Sequence, residues 1–315
     1  MMLNGKRLSK ISLGLSQLNN SLYKEKKFIY SKSDIKNIID FAIDKNITCF
    51  DTASSYGDTE EILGLFPSNK KNKIIISTKT GFVKNNQRNF SQKYLLSQIH
   101  NSLKALKVDS IDIFFLNKPS KIDIEHNNLI IFFEKIKKEG LVNSAGIIIG
   151  EKTLEKKYLI SNTFECYSFL YNLINTDLED AIKLTKKYKK INFSRSPLNS
   201  GLLTSTFGNN FNVPKSDFRY SYFHGKNFNT KIKKIEKIKS FLSIKNEELM
   251  KASTEFVKKN RNLDSAFFGP KSIQQIDDLF RIYKSRSYYS NQKYSLLKKK
   301  IKTLSKSLKT NDQKK

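Results

Sequence analysis

The sequence F-D-T-A-S-S-Y-G-D-T-E-E-I-L-G, at residues 50–64, describes the end of a strand, a polar loop and the start of a helix. An apolar run at residues 47–50 stops at Asp51, and Tyr56 and Gly57 follow within the loop. The segment that begins at residue 58 has helical character. A short apolar run followed by a polar loop and a helix is the repeating unit of α/β folds.

Two later apolar runs end in the same way, each in one polar residue. Residues 74–78 lead to Lys79, and residues 111–116 lead to Asn117. In a parallel α/β barrel the carboxyl ends of the strands converge on one rim, where active sites are built. We therefore expect four side chains to be neighbours in the fold: Asp51, Tyr56, Lys79 and Asn117.

These residue types together suit the reduction of a carbonyl group. A tyrosine titrates near ~10, and an adjacent ammonium group favours its phenolate form. A carboxylate beside the lysine keeps the lysine charged and fixes its direction, and an amide can donate a hydrogen bond to a substrate oxygen. The alternative is structural: a tyrosine packed under a loop, with the lysine and the aspartate forming an ordinary surface pair.

The same segments resemble the aldo-keto reductase family. F-D-T-A-S-S-Y-G is similar to the family signature, S-T-K-T-G to its lysine segment, and I-D-I-F-F-L-N-K-P to the strand that carries its active-site histidine. The resemblance extends over residues 8–283 and implies a (β/α)8 TIM barrel and an NADPH-dependent reductase. It implies Tyr56 as proton donor, Lys79 as its cationic partner and Asp51 paired to Lys79. Asn117 stands where the family usually has histidine, and an amide can polarise a carbonyl group but cannot titrate.

The residues that hold the nicotinamide carboxamide in the family are altered in this chain. The family usually has Ser-Asn at the positions of Ile148 and Ile149, and a glutamine at the position of Ser168. These replacements imply that nicotinamide is held less specifically, or by other groups.

The segment I-N-F-S-R-S-P-L-N-S-G, at residues 191–201, resembles the family loop that wraps the cofactor pyrophosphate. Its backbone N–H groups and serine hydroxyls can meet phosphate oxygens. Arg195 occupies the place of an aromatic ring that commonly stacks on nicotinamide; a guanidinium can stack, pair with a carboxylate or phosphate, or form a structural salt bridge. The resemblance implies cofactor contacts at Ser196, Pro197, Leu198, Ser200 and Gly201.

The start of the last barrel helix, at residues 269–278, resembles the family site for the adenosine 2′-phosphate and the adenine. Lys271 and Ser272 fit the phosphate role, and Gln275 and Asp278 are further candidate contacts. Because helix N-termini favour phosphate groups, NADPH is expected in preference to NADH.

The net charge of +29 raises the hypothesis of nucleic-acid binding. Only seven of the 58 basic residues are arginine, lysines are spread along the predicted helices, and no RNP, zinc-finger or helix-turn-helix signal occurs, so we expect no specific nucleic-acid partner.

Cys49 and Cys166 fall in predicted strands and are expected to be reduced, and the three histidines lack metal-ligand spacing. No signal peptide and no apolar run of ~18 to 20 residues is evident, which predicts a cytoplasmic protein, and the lysine-rich surface favours a monomer.

The chain is expected to form one barrel domain at residues 1–284 and a lysine-rich helix or tail at residues 285–315. The last segment has ten Lys or Arg against one Asp, with apolar residues at helical spacing. It reads as an exposed, partly frayed helix, or alternatively as a helix that faces an anionic surface or a membrane. The loop at residues 16–30 and the insertion at residues 202–229 are expected to overhang the site, the insertion as a lid or as a packed surface loop.

Two functions follow as hypotheses. The first is an NADPH-dependent oxidoreductase that reduces an aldehyde or ketone, including sugar-type carbonyls. The second is a barrel of the same fold with weak catalysis that serves as a cofactor-binding sensor or partner protein, motivated by Asn117 and the Ile148-Ile149 pair.

Overall fold

Eight parallel strands close into a barrel in which each strand pairs with the next along the chain and the last pairs with the first. The computed structural model describes residues 1–19, 30–83, 87–150, 153–205, 215, 220–224, 226–285 and 287–313. The barrel confirms the expected (β/α)8 fold. Its strands are β3 (Ile11–Gly14), β4 (Cys49–Asp51), β5 (Ile75–Thr80), β6 (Ile111–Asn117), β7 (Val142–Ile148), β8 (Phe164–Leu170), β9 (Ile191–Arg195) and β10 (Ser265–Phe268).

Helices surround the barrel and bury one apolar stripe each. In the first, Ser31 caps the N-terminus by accepting a hydrogen bond from the Asp34 amide, and the Asp34 side chain accepts one in return, which satisfies two donors that the helix leaves unpaired. The stripe that follows is buried against the strands. The helices are α1 (Lys32–Asp44), α2 (Thr59–Gly64), α3 (Ser68–Lys71), α4 (Gln92–Leu106), α5 (Lys121–His126), α6 (Leu129–Lys138), α7 (Lys156–Leu159), α8 (Glu179–Lys187), α9 (Tyr220–Phe223), α10 (Lys226–Leu242), α11 (Asn246–Lys258), α12 (Ile273–Lys284) and α13 (Asn291–Gln313).

A short hairpin of β1 (Met2–Leu3) and β2 (Lys6–Arg7) precedes the barrel. Asn4 and Gly5 both adopt positive φ, at 50° and 74°, as a two-residue hairpin turn requires. Leu3 lies in the same buried cluster as residues of the barrel interior. The sequence analysis did not predict this hairpin, although the Asn-Gly pair is its usual signal.

The barrel interior is filled by alternate residues of each strand. Ile113 and Phe115 of β6, and Phe193 of β9, belong to the interior cluster. The rings of Phe193 and Phe267 stack with centroids 4.7 Å apart. Because side chains alternate along a barrel strand, the last residue of β6 and the last residue of β9 point to the same interior.

Cys49 and Cys166 lie in that interior cluster as free, buried thiols, as expected. Burial raises the pKa of both thiols, so they remain protonated. Their role is to fill space between the strands.

The C-terminal helix α13 packs against α10 with its apolar face inward. Leu297 and Ile301 are fully buried, and Lys298 forms an ion pair with Glu179. The expectation of an exposed helix is therefore wrong for this face. The apolar residues at near-helical spacing are buried within the fold, so this stripe does not face a membrane in the structure.

Parts of the two predicted overhanging segments lie outside the described residues. These parts are residues 20–29 of the first loop, and residues 206–214, 216–219 and 225 of the insertion. Within the part of the chain that is described, no helix combines the length and the apolar character needed to cross a membrane.

Candidate active site

A buried ion pair between Lys79 and Asp51 forms the centre of the site. The Lys79 Nζ atom lies 2.5 Å from Asp51 Oδ2 and donates a second hydrogen bond to the Thr52 carbonyl at 2.8 Å. Ser77 donates its hydroxyl to the other carboxylate oxygen of Asp51 at 2.9 Å. Strands β4 and β5 are neighbours in the barrel, so the register of the sheet brings these side chains together.

The pair decides the charge state of the lysine. Burial alone would lower the pKa of the Lys79 ammonium, but the Asp51 carboxylate and the Tyr56 hydroxyl more than offset that effect and raise its pKa above the ordinary value for lysine. The ammonium is therefore kept charged within the barrel rim.

Tyr56 lies beside this ammonium group on the loop after β4. The Lys79 Nζ atom is 4.5 Å from the centroid of the Tyr56 ring. The loop is held by a turn in which the Tyr56 amide donates to the Ala53 carbonyl, and by a 2.6 Å hydrogen bond between the Thr52 and Thr59 hydroxyls. The structure thus brings together Asp51, Lys79 and Tyr56, as the sequence analysis expected.

Gly57 allows this loop its sharp turn. Its φ is +60°, and a Cβ atom there would lie 3.0 Å from Asn19 Oδ1. Asn19 is itself buried and donates to the Ser55 carbonyl at 3.1 Å. A residue of the first loop therefore supports the backbone that carries Tyr56.

Asn117 is the last residue of β6, on the strand next to the one that carries Lys79. It follows Ile113 and Phe115 on the interior face and is half-buried. The expected fourth member of the cluster therefore lies on the same rim, at the interior side.

Arg195 ends β9 on the interior side, and its guanidinium extends across the rim. One terminal nitrogen donates a long hydrogen bond of 3.4 Å to the carbonyl of Ile149, which follows β7. The strand between them, β8, presents Ser168, whose buried hydroxyl has no hydrogen-bond partner among the described residues. Arg195 Nε is likewise buried and unpartnered within the described part of the chain.

The turn after β9 carries the predicted phosphate contacts. Ser196 and Ser200 adopt positive φ, at 54° and 59°, and Gly201 follows at 98°. The amides of Asn199 and Gly201 already donate to carbonyl groups within the turn. These two N–H groups are therefore not free to bind a phosphate group, as the sequence analysis had expected of this loop. Pro197 is buried and Leu198 is half-buried within the loop.

A residue of the insertion reaches this turn. Tyr222 of α9 donates its hydroxyl to the side-chain oxygen of Asn199, which is buried. Burial raises the pKa of Tyr222 to about 12, and the ammonium of Lys231 lies 3.2 Å from the centroid of its ring. The sequence analysis singled out neither Tyr222 nor Asn199, because the insertion has no periodic pattern that would orient a side chain.

The predicted adenosine-phosphate site lies at the start of α12, directly after β10. Ser272 caps the helix by accepting from the Gln275 amide at 3.2 Å, and the Gln275 side chain accepts from the Lys271 amide at 2.8 Å. Asp278 accepts hydrogen bonds from Gln274 and Arg281. The hydroxyl of Ser272 is thus engaged in capping, and Lys271 is a basic residue directly before this cap.

Two supports of the ion pair were missed by sequence reasoning. Ser77 stands two residues before Lys79 on the same strand, so its alternation with Lys79 was a usable signal. The Thr52 carbonyl offered no signal, because a backbone contact depends on the course of the loop. Among the described residues, no group of three His, Cys, Asp or Glu side chains is placed to hold a metal ion.

Some buried polar atoms of this rim have no hydrogen-bond partner among the described residues. Ser168 Oγ, Arg195 Nε and Asn199 Nδ2 are buried without partners among the described residues, and buried polar groups are normally paired. All three lie at or just after the carboxyl ends of β8 and β9.

Comparison with known proteins gives a consistent result. The Aldo/keto reductase family matches residues 10–302 of the chain. The aldo-keto reductase YhdN of Bacillus subtilis is 27% identical in an alignment of 267 residues, and the match covers 76% of each chain. The uncharacterized oxidoreductase YqkF of the same organism is 28% identical over 180 residues, and the match spans 55% of this chain and 58% of YqkF.

Two solved structures have the same fold. The aldo-keto reductase AKR11C1 from Bacillus halodurans, in its holo form, superposes with a TM-score of 0.74 at 18% identity and covers 93% of this chain and 92% of that one. The glycerol dehydrogenase AKR11B4 from Gluconobacter oxydans superposes with a TM-score of 0.74 at 19% identity and covers 93% and 91%. At such low identity the likeness establishes the barrel fold.

Proposed function

The chain belongs to the aldo/keto reductase family, and from that premise we propose that it is an NADPH-dependent oxidoreductase that reduces an aldehyde or ketone to the alcohol. The observation that carries this proposal is the buried Asp51–Lys79 pair beside the ring of Tyr56. The relatives and structural neighbours are oxidoreductases, which favours catalysis over the binding-only alternative.

Tyr56 is the proposed proton donor. As the carbonyl carbon is reduced, its oxygen becomes basic and takes the hydroxyl proton of Tyr56. The Lys79 ammonium, 4.5 Å from the centroid of the Tyr56 ring, stabilises the phenolate that remains. Asp51 keeps Lys79 charged and fixed in direction, in agreement with the raised pKa of Lys79.

Asn117 takes the place of the usual histidine in this scheme. Its amide donates a hydrogen bond to the substrate oxygen and thereby polarises the carbonyl group. An amide does not titrate, so the proton comes from Tyr56 alone. Asn117 therefore orients the substrate without a proton transfer of its own.

The cofactor is proposed to lie along the rim from β8 to α12. When bound, its reduced nicotinamide supplies the hydride. Ser168 and Arg195, which have polar atoms without partners among the described residues, lie at the ring end, and Lys271 supplies a positive charge for a 2′-phosphate at the start of α12. That charge favours NADPH over NADH. The proposed cofactor contacts are Ser168, Arg195, Ser196, Pro197, Leu198, Ser200, Gly201, Lys271, Ser272, Gln275 and Asp278.

The test is oxidation of NADPH by the purified protein with a panel of aldehydes, ketoses and sugar aldehydes. Tyr56→Phe is expected to lower carbonyl-dependent turnover by about 10²- to 10⁴-fold, the usual contribution of general acid catalysis. Its affinity for NADPH, measured by the fluorescence of the bound cofactor, should stay unchanged. Tyr188→Phe, on the exposed end of α8, is the matched control and should keep full activity. Undiminished turnover in Tyr56→Phe would exclude Tyr56 as the donor, and tight binding of NADPH without turnover would favour a binding protein.

A further inference from the structure

Glu60 is a buried carboxyl group that the proposed mechanism does not use. It lies in the first turn of α2, shortly after Tyr56 in the chain, and is 5% exposed. One of its side-chain oxygens, Oε1, accepts a hydrogen bond of 2.6 Å from the Thr78 hydroxyl of β5 and one of 2.8 Å from the Ser102 hydroxyl of α4. Glu60 therefore joins a strand and two helices at a single point.

The carboxyl group lies outside the barrel wall, away from the interior that holds the ion pair. Thr78 stands directly before Lys79 on β5, and consecutive side chains of a strand point to opposite faces of the sheet. Lys79 points to the barrel interior, where it meets Asp51, so Thr78 points to the surrounding helices. Any effect of Glu60 on the reaction must therefore pass through the residues that it holds in place.

The residue directly before Glu60 holds the loop that carries Tyr56. The Thr59 hydroxyl lies 2.6 Å from the Thr52 hydroxyl and donates to the Tyr56 carbonyl at 3.2 Å. The carbonyl of Thr52 in turn accepts a hydrogen bond from Lys79 at 2.8 Å. Tyr56 and Lys79 are thus connected through these two threonines, and the start of α2 is part of that connection.

Helix α2 is fixed at its other end by close packing on α4. Gly64 is buried, and a Cβ atom there would lie 2.2 Å from the Ala105 carbonyl oxygen. The hydrogen bond from Ser102 to Glu60 holds the first turn of α2 on the same helix. Among the described residues, the hydrogen bond from Thr78 to Glu60 is the only side-chain hydrogen bond between α2 and β5. That bond therefore sets where the start of α2 lies relative to the strand of Lys79.

The carboxyl group fills this role as an acceptor and does not need its charge. Burial raises the pKa of Glu60, and the hydrogen bonds from Thr78 and Ser102, together with the nearby Lys79 ammonium, oppose that effect only in part. A protonated carboxyl group still presents an oxygen that accepts hydrogen bonds. Glutamine has nearly the same shape, an acceptor oxygen and no charge, so Glu60→Gln is expected to preserve both bonds.

We propose that Glu60 is a positioning residue, which holds the loop of Tyr56 and the strand of Lys79 at the separation that proton transfer requires. The inference rests on the proposed reductase function, in which Tyr56 donates the proton beside Lys79. Positioning affects the rate because a displacement of about 1 Å at a reacting group can lower turnover about 10²-fold. Loss of the bond to β5 should therefore lower kcat and leave the affinity for the cofactor unchanged.

The experiment compares two variants that each remove one donor to Oε1 of Glu60. Thr78→Val detaches the strand of Lys79 from α2, whereas Ser102→Ala removes the bond from α4 and leaves β5 attached. Thr78→Val should lower kcat for carbonyl-dependent oxidation of NADPH by about 10- to 100-fold, with an unchanged affinity for NADPH. Ser102→Ala is the matched control: both variants lose one buried hydrogen bond and should lower the urea midpoint of unfolding, but Ser102→Ala should keep the wild-type kcat, as should Glu60→Gln.

Combination with Tyr56→Phe separates positioning from a general loss of stability. Thr78→Val should have little further effect on kcat in a protein that already lacks the Tyr56 hydroxyl, since residues that act as a unit have non-additive effects. Equal kcat values for Thr78→Val and Ser102→Ala, or a full additional loss in the double variant, would overturn the proposal and leave the reductase function standing.

If the wild-type protein oxidises NADPH with none of the carbonyls, the proposed function fails, and hydrogen exchange tests the position of the loop directly. The Tyr56 amide, which donates to the Ala53 carbonyl at 2.9 Å, should exchange faster in Thr78→Val than in Ser102→Ala. Faster exchange confined to this loop would support the positioning role. Exchange at equal rates in the two variants would overturn it.

Discussion

At the scale of single residues, the site depends on a charge that the barrel interior would otherwise neutralise. Lys79 is buried, and burial by itself favours the uncharged amine. The carboxylate of Asp51, 2.5 Å away, reverses this preference. A charged ammonium beside Tyr56 is thus the product of two strands placed in register, and neither residue alone would create it.

Replacing Asp51 by asparagine should destabilise the protein by about 3–5 kcal/mol near neutral pH, because it leaves a buried ammonium without its counter-charge. The pKa of Lys79 in the folded wild type lies above its value in the unfolded chain, so the pair stabilises the fold fully below that unfolded value and loses its effect as the pH rises through the folded pKa. The difference between the two proteins should therefore narrow as the pH rises past ~10.4. Urea unfolding of both proteins from pH 7 to 11 measures this difference in the free energy of unfolding.

The control for this prediction is Glu61→Gln, which breaks an exposed ion pair with Lys32. Exposed pairs contribute roughly 0–1 kcal/mol, so this variant should unfold almost as the wild type does. Parallel stability curves for Asp51→Asn and the wild type across the whole pH range would show that Lys79 does not depend on Asp51 for its charge.

At the scale of elements, the strands were predictable and the last helix was only partly so. Apolar runs that end in one polar residue located β4, β5 and β6 and the side chains Asp51, Lys79 and Asn117, because a buried parallel strand is apolar along its whole length and changes character where it emerges at the rim. The spacing of Leu297 and Ile301 predicted a helix, but an amphipathic stripe does not state which surface covers it. The surface that covers this stripe belongs partly to α10, which is distant in the sequence, so the contact is known only from the fold.

Contacts between distant segments were also unpredictable in the site. A strand fixes the direction of every second side chain, so Lys79 and Arg195 could be placed from the sequence. The contact between Tyr222 and Asn199 joins an irregular insertion to a turn, and no periodicity links them. The hydrogen bond from Arg195 to the Ile149 carbonyl joins two segments that are distant in the sequence, so the sequence could not predict it.

The packing of α13 makes a prediction of its own. Leu297→Ala should lower the free energy of unfolding by about 2–5 kcal/mol, because it leaves a space in a fully buried contact. The adjacent residue, Leu296, is 49% exposed, and Leu296→Ala should change the stability by no more than about 0.5 kcal/mol. Urea unfolding of the two variants measures the difference. Equal effects at the two positions would mean that the helix does not dock on α10 through this face.

At the scale of the whole molecule, charge is the unusual property. The chain has 58 basic and 29 acidic residues, so a large part of its surface charge has no opposite partner. Several acidic residues are flanked by lysines; Asp40, for example, pairs with both Lys36 and Lys70. Such exposed pairs contribute roughly 0–1 kcal/mol each, whereas the repulsion among the excess lysines acts over the whole surface.

We therefore expect the folded protein to become more stable as salt is added. The distance over which charges interact falls from about 30 Å at 0.01 M salt to about 10 Å at 0.1 M, which screens repulsion between lysines that are not in contact. The urea midpoint of unfolding should rise between these two concentrations of NaCl. Sucrose at matched osmolarity is the control: it leaves the charges unscreened, so it measures the stabilisation that comes from preferential exclusion alone. The buried pair of Asp51 and Lys79 is largely shielded from salt, so Asp51→Asn should shift by the same amount as the wild type. A midpoint that falls with NaCl would mean that the exposed ion pairs outweigh the repulsion of the surplus positive charge.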